Sequence, residues 1–142
     1  MTKIKYFTII LLYFLFFESN GISQENYLSE GKKLFDNQKY LESKFKFEQD
    51  IVFNPKNEMS YLYLSKIFKN LKKKNLEEKN LKTVILLNPK NEEAIYSLAK
   101  LKLDESDYKK SKELNNRLSM LCDKFCDKSI ELKIEIENLS KK

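Results

Sequence analysis

No histidine occurs among the 142 residues. That removes the commonest general base, the commonest metal ligand and every triad built on an imidazole. Glycine occurs only at Gly21 and Gly31, so no glycine-rich phosphate loop can be assembled. Two cysteines, Cys122 and Cys126, make a poor zinc site without histidine and belong to no haem-attachment motif. Carboxylates are plentiful but alternate with lysine along solvated faces, where such pairs support helices by a few tenths of a kcal/mol and do no chemistry. The composition describes a non-catalytic protein with no metal and no cofactor.

Arginine is scarce as well. Arg117 stands alone among 27 basic residues, while the net charge is +6. Positive charge suits an acidic partner, an anionic surface or nucleic acid. Base edges and phosphates are gripped best by the guanidinium fork, which lysine lacks, and acidic residues are interspersed throughout. Nucleic acid is therefore disfavoured as the partner.

One long hydrophobic run is present, at the N-terminus. Lys3 and Lys5 precede a 12-residue run from Tyr6 to Phe17, broken only by Thr8, and a polar stretch follows with small Gly21 and Ser23 before Gln24. This is the layout of a secretory signal peptide. A spanning helix needs roughly 20 apolar residues, so a permanent anchor fits less well. Residues 1–23 are expected to be a signal peptide, and the protein to be exported to a bacterial periplasm or cell envelope, or secreted. Losing Lys3, Lys5 and Glu18 lowers the charge from +6 to +5. Residues 24–142 suffice for one domain with a modest core.

Both prolines sit in one phrase used twice. Asn54-Pro55-Lys56-Asn57 returns as Asn88-Pro89-Lys90-Asn91, 34 residues later. The same period aligns small residues (Gly31, Ser65, Ala99), apolar and aromatic ones (Tyr27, Tyr61, Ile95) and the line Phe53, Leu87, Leu121. A period of this length marks a helix–turn–helix repeat array. Within the first unit, Tyr27, Leu28, Gly31, Leu34 and Phe35 trace one face of a helix, and Phe47, Ile51 and Val52 trace a second after a polar break. A small residue in mid-helix permits close helix approach. Proline disfavours helical geometry at the preceding asparagine and ends each second helix. With so little glycine, the turns are expected to rely on Asn, Asp and Ser.

The reading is an all-α helix–turn–helix solenoid of about three units, at 24–57, 58–91 and 92–126, with a C-terminal capping helix and tail at 127–142. The second unit's second helix is expected to start late, after Leu71-Lys72-Lys73-Lys74-Asn75, and the third unit's second helix to run to about Lys124. Ser129 is a candidate cap for the last helix, although the alternation Ile130, Leu132, Ile134, Ile136 also reads as a strand. Cys122 and Cys126 share the stripe of Leu114, Leu118, Leu121 and Phe125. They read either as two small buried hydrophobes or as a disulfide, and the bond requires the helix to end or distort nearby.

The repeat pattern resembles the tetratricopeptide-repeat family over residues 24 to about 125. The resemblance rests on the small-residue position, the leading tyrosines, Tyr40 and Tyr108 opening second helices, and the two asparagine–proline ends. Departures are Glu30 where the family has leucine, and Ser43, Glu77 and Ser111 where it has alanine, with Glu77 fitting worst. The resemblance implies peptide or protein binding in a concave groove lined by the first helices. Lys32, Lys66 and Lys100, each following the small residue, would form a ladder there. Leu28, Phe35, Leu62, Tyr63, Lys69 and Tyr96 would line the same groove. Such a surface suits an acidic peptide or a terminal carboxylate, although the asparagines and arginine of the family's carboxylate-binding members are not evident. Lysine is abundant enough for the ladder to be compositional. Two other readings remain open: an anionic-polymer binder held by charge, and an assembly subunit that uses its convex face.

Overall fold

The computed structural model describes residues 24–141. The expected signal peptide, residues 1–23, lies outside them. Seven helices follow in order: α1 (Gln24–Asp36), α2 (Tyr40–Phe53), α3 (Glu58–Asn70), α4 (Lys74–Leu87), α5 (Glu92–Asp104), α6 (Tyr108–Leu121) and α7 (Cys126–Leu139). The helices α1, α3, α5 and α7 start 34 residues apart, as do α2, α4 and α6. The fold is an all-α repeat solenoid. Among the described residues, no helix is long and apolar enough to cross a membrane.

The period comes from two kinds of joint. Between the helices of a unit the chain turns through a left-handed residue at one repeat position: Gln38 (φ 58°), Lys72 (φ 57°) and Ser106 (φ 61°). The next amide closes a six-residue ring onto the helix end, from Lys39 to the Leu34 carbonyl, Lys73 to Phe68 and Asp107 to Lys102, each at 2.9 Å. This Schellman closure satisfies carbonyls that the helix end leaves orphaned. Only Ser106 belongs to the residue types expected to make these turns. The closure at Lys73 also explains why α4 begins at Lys74, in register with its counterparts and not late: the lysine run is the turn itself.

Between units, the asparagine–proline phrase is a complete joint. Its first asparagine, Asn54 or Asn88, is the C-cap of the helix before, bonding back to the carbonyl of Asp50 or Val84 at 2.7 Å. Its second, Asn57 or Asn91, is the N-cap of the helix after, accepting from Met59 N at 3.2 Å or Ala94 N at 3.0 Å. Buried Asp50 braces the first joint, accepting from Asn57 at 2.7 Å, Asn54 at 3.3 Å and the Ser60 hydroxyl. At the second joint Arg117 donates to the Pro89 carbonyl, so the single guanidinium is engaged in holding the fold.

The third joint has no proline. Helix α6 stops at Leu121, short of Lys124, because Cys122 leaves helical geometry at φ 29°. Cys122 and Cys126 are bonded across the joint, with Cα atoms 4.9 Å apart. The chain resumes as α7 at Cys126. The last segment is thus a helix and not a strand, and Ser129 lies inside it, buried, and does not cap it. No side chain caps α7, and Glu92 holds the joint before it instead. Its carboxylate accepts from the amides of Asp123, Lys124 and Phe125, the last two at 2.8 and 2.9 Å. Those bonds hold its pKa below the ordinary 4.5.

Each helix packs on its chain neighbours, and in addition α1 packs on α3 and α5 on α7. No two of α2, α4 and α6 pack on one another to that extent. Helices at the first-helix position therefore approach one another at two junctions, α1 with α3 and α5 with α7, while no second helices do, so the row α1, α3, α5 and α7 is the inner side of the stack. One core cluster centres on Phe47, Leu64, Ile67 and Phe68, and a larger one runs from Leu62 through Leu81, Ile95 and Leu118 to Leu132 and Ile136 of α7. Fully burying a side chain such as Phe47 contributes about 1.5–3 kcal/mol. By covering Leu114 and Leu118, α7 closes the end of the stack.

Candidate functional site

The inner face gathers around one ring. Tyr63 of α3 stacks on Phe47 of α2 at 4.9 Å between centroids and meets the edge of Phe35 of α1 at 5.2 Å. Two ammonium groups lie over it, Lys32 from α1 at 5.7 Å and Lys66 from α3 at 5.0 Å. Phe47 is fully buried, so the stack anchors Tyr63 from beneath while Tyr63 itself stays half-buried. Aromatic pairs at these separations contribute about 0.5–1.5 kcal/mol beyond area, and cation–π contacts about 0.5–1 kcal/mol at exposed sites. The result is a preorganised aromatic and cationic platform.

A second cluster stands further along the inner row. Tyr96 of α5 lies 5.6 Å from Phe125 of the third joint, and Lys128 of α7 sits over both rings, at 5.5 and 4.4 Å. Beside it Lys100 forms a bidentate pair with Glu135 of α7, both bonds at 2.7 Å.

The nine expected groove residues therefore separate. Lys32, Phe35, Tyr63 and Lys66 come together, and Tyr96 and Lys100 sit near the second cluster. Leu62 does not line a groove: it is 3% exposed and packs in the larger core. The residue that follows it, Tyr63, also expected there, does reach the inner surface. Leu28 packs against the Phe47 cluster and borders a pocket with Phe53, Pro55 and Asn57 at the first joint. Lys69 lies in a cleft at the turn end of the stack with Lys74, Glu77 and Asp104.

The ladder is also not three free cations. Lys66 pairs with Glu93 at 2.7 Å and Lys100 with Glu135, whereas Lys32 has no carboxylate partner among the described residues. Sequence reading missed Glu93 and Glu135 because the two pairs are 27 and 35 residues apart, so no shared period announces them. Elsewhere Lys102 bonds Glu78 at 2.7 Å and Glu105 at 2.8 Å; burial works against its charge, but these two partners raise its pKa and, with Lys82, lower that of Glu78. That triad braces α4 to α5 and lies outside the inner face clusters.

Sequence comparison finds no matching family model and no matching curated protein. Solved structures do match in fold. The first tetratricopeptide-repeat domain of Spaghetti (RPAP3), bound to the HSP90 peptide SRMEEVD, superposes with a TM-score of 0.72 at 19% identity, covering 84% of this chain and 99% of that one. The Yersinia enterocolitica type III secretion chaperone SycD, in complex with a peptide of the translocator YopD, gives 0.76 at 15% identity, over 88% and 99%. The TPR2B domain of yeast Sti1, in its Hsp70 complex, gives 0.76 at 13% identity, over 84% and 99%. At these identities the likeness is one of architecture: the chain has the tetratricopeptide-repeat fold.

Proposed function

We propose that this protein is a non-catalytic binding module that takes an acidic peptide segment of a partner protein on its inner face, acting after export to the cell envelope or beyond. The observation that carries the reading is the Tyr63 platform, with an unpaired Lys32 ammonium held over an anchored ring. A peptide carboxylate is attracted to Lys32, while an adjacent apolar residue has the exposed part of Tyr63 and the edge of Phe35 to cover. The Tyr96, Phe125 and Lys128 cluster offers the same chemistry further along the inner row and supports an extended ligand. Because the rings are already stacked, the protein loses little ordering entropy on binding. Two structural neighbours carry peptides, one of them the acidic SRMEEVD, which supports this use of the fold. Export rests on the N-terminal charge and hydrophobicity pattern alone.

Pairing of Lys66 and Lys100 with carboxylates weighs against a binder that holds polyanions by charge alone. Selection of peptides from a random display library tests the reading. Enriched sequences are expected to combine Asp or Glu with an apolar residue, and to lose binding about tenfold or more in Lys32→Ala/Tyr63→Ala, with helical circular dichroism unchanged. Enrichment that is indifferent to both substitutions in a folded variant rejects the inner-face site.

A further inference from the structure

Two rows of side chains run along one edge of the stack and take no part in the inner face. Val52, Leu86 and Met120 occupy one repeat position in the last turn of α2, α4 and α6, and they are 75%, 80% and 84% exposed. Four residues on, Lys56, Lys90 and Lys124 occupy one position in the three joints between units, and all are exposed. Neither row is needed by the fold. An apolar side chain left in water at the same place in every unit has no packing reason, and scattered surface leucines would not keep a period.

Carboxylates stand near the lysines and keep their charge: Glu58 and Glu92 are half-buried, accepting from Asn88 at 3.0 Å and from the backbone of the third joint, and Asp123 is exposed beside Lys124, whereas all three lysines are exposed. This edge is also where the described chain begins. Tyr27 in the first turns of α1 stacks on Phe53 at the end of α2, 5.7 Å between centroids, placing the start of α1 beside Val52. Upstream in sequence only six residues, 18–23, separate Gln24 from the apolar run Tyr6–Phe17. Such a tether spans at most about 25 Å.

We propose that this edge docks on an anionic lipid surface. The three apolar side chains enter the headgroup region and the three lysines meet lipid phosphates, the pairing used by interfacial protein segments. The apolar run, for as long as it is joined to the domain, is tethered within about 25 Å of this edge. Docked this way, the stack keeps its inner face open to a peptide. The inference therefore stands independently of the proposed peptide site.

Tryptophan is absent from the chain, so one introduced residue reports its own surroundings. The full chain carrying Leu86→Trp is mixed with vesicles of phosphatidylcholine alone, or with phosphatidylglycerol, and with brominated lipids as quencher. Lys109→Trp, in the first turn of α6 at the opposite edge, serves as the reference. A blue shift and quenching of Leu86→Trp on anionic vesicles are expected, with Lys109→Trp unchanged. Adding Lys56→Glu, Lys90→Glu and Lys124→Glu is expected to weaken the response about a hundredfold in lipid concentration. If Leu86→Trp stays unquenched, the proposal fails in either case: vesicles that still carry the protein are held by the N-terminal run alone, and vesicles that do not leave the edge to a protein partner. Should circular dichroism show that Leu86→Trp does not fold, Val52→Trp replaces it.

Discussion

At the scale of single residues, the first unit turns on the meeting of Gly31 and Phe47. A Cβ added at Gly31 would lie 2.7 Å from the Phe47 ring, which is fully buried and cannot retreat. The same two repeat positions hold Ser65 with Leu81, and Ala99 with Asn115, so a smaller partner accompanies each larger residue at the glycine position. Gly31→Ala should therefore lower stability by about 1–2 kcal/mol in denaturant unfolding, although alanine is the better helix former. Gly31→Ala/Phe47→Leu should recover part of that loss by recreating the second unit's proportions. No recovery would locate the strain elsewhere.

Ser43 and Ser111 show a repeat-specific bond that spacing alone did not announce. Each hydroxyl donates to the carbonyl of the small residue on the facing helix, Gly31 at 2.8 Å and Ala99 at 2.9 Å. Glu77 holds the same position in the second unit and is buried. Burial raises its pKa, with Lys69 opposing and Asp104 reinforcing the shift. A carboxyl that binds its proton more tightly in the folded state destabilises the fold above its raised pKa, and that cost disappears below the unfolded value near 4.5. Glu77→Gln should raise Tm at pH 7 and give no advantage in acid below that value, as measured by thermal unfolding against pH.

At the scale of elements, the two asparagine–proline phrases were legible because cap chemistry is local: proline, C-cap and N-cap all lie within four residues. The third joint was not legible beyond the presence of its cysteines. The carboxylate that holds its amides, Glu92, is some thirty residues away, and its brace is the exchange between α6 and α7 in which Asn115 donates to the Ser129 carbonyl at 2.9 Å and Ser129 donates to Asn115 at 3.1 Å. Turn residues misled in the same way. Lysine at a left-handed position looks like the wrong residue for a turn, and the Schellman closure of α3 holds it there.

Glu92 makes a prediction about α7. Its pKa is depressed by the three amides, so its contribution is present above the ordinary carboxylate value and is lost as pH falls through the depressed one. In Glu92→Gln the amides of Asp123, Lys124 and Phe125 should exchange hydrogen faster at neutral pH, while α3 and α4 keep wild-type protection. Uniform protection across the chain would show that the third joint does not depend on this carboxylate.

On the scale of the whole molecule, the period gave the architecture and the resemblance gave a style of binding, but the inner face had to be seen. Leu62 and Tyr63 were both expected in the groove, but neighbours in a helix point about 100° apart, so with Tyr63 at the inner surface Leu62 lies in the core. Three lysines at equal spacing suggested three equal charges. Tertiary partners drawn from α5 and α7 neutralise two of them and leave Lys32 to act with Tyr63. The central claim is that recognition happens on the inner row of helices. The most direct measurement is the map of backbone amide shifts on titrating nitrogen-15-labelled protein with an acidic peptide selected from the library. Shifts are expected around Lys32, Phe35, Tyr63 and Lys66, extending to Tyr96 and Lys128 for longer peptides. Shifts confined to the outer surfaces of α2, α4 and α6 would contradict the account and move recognition to the convex face.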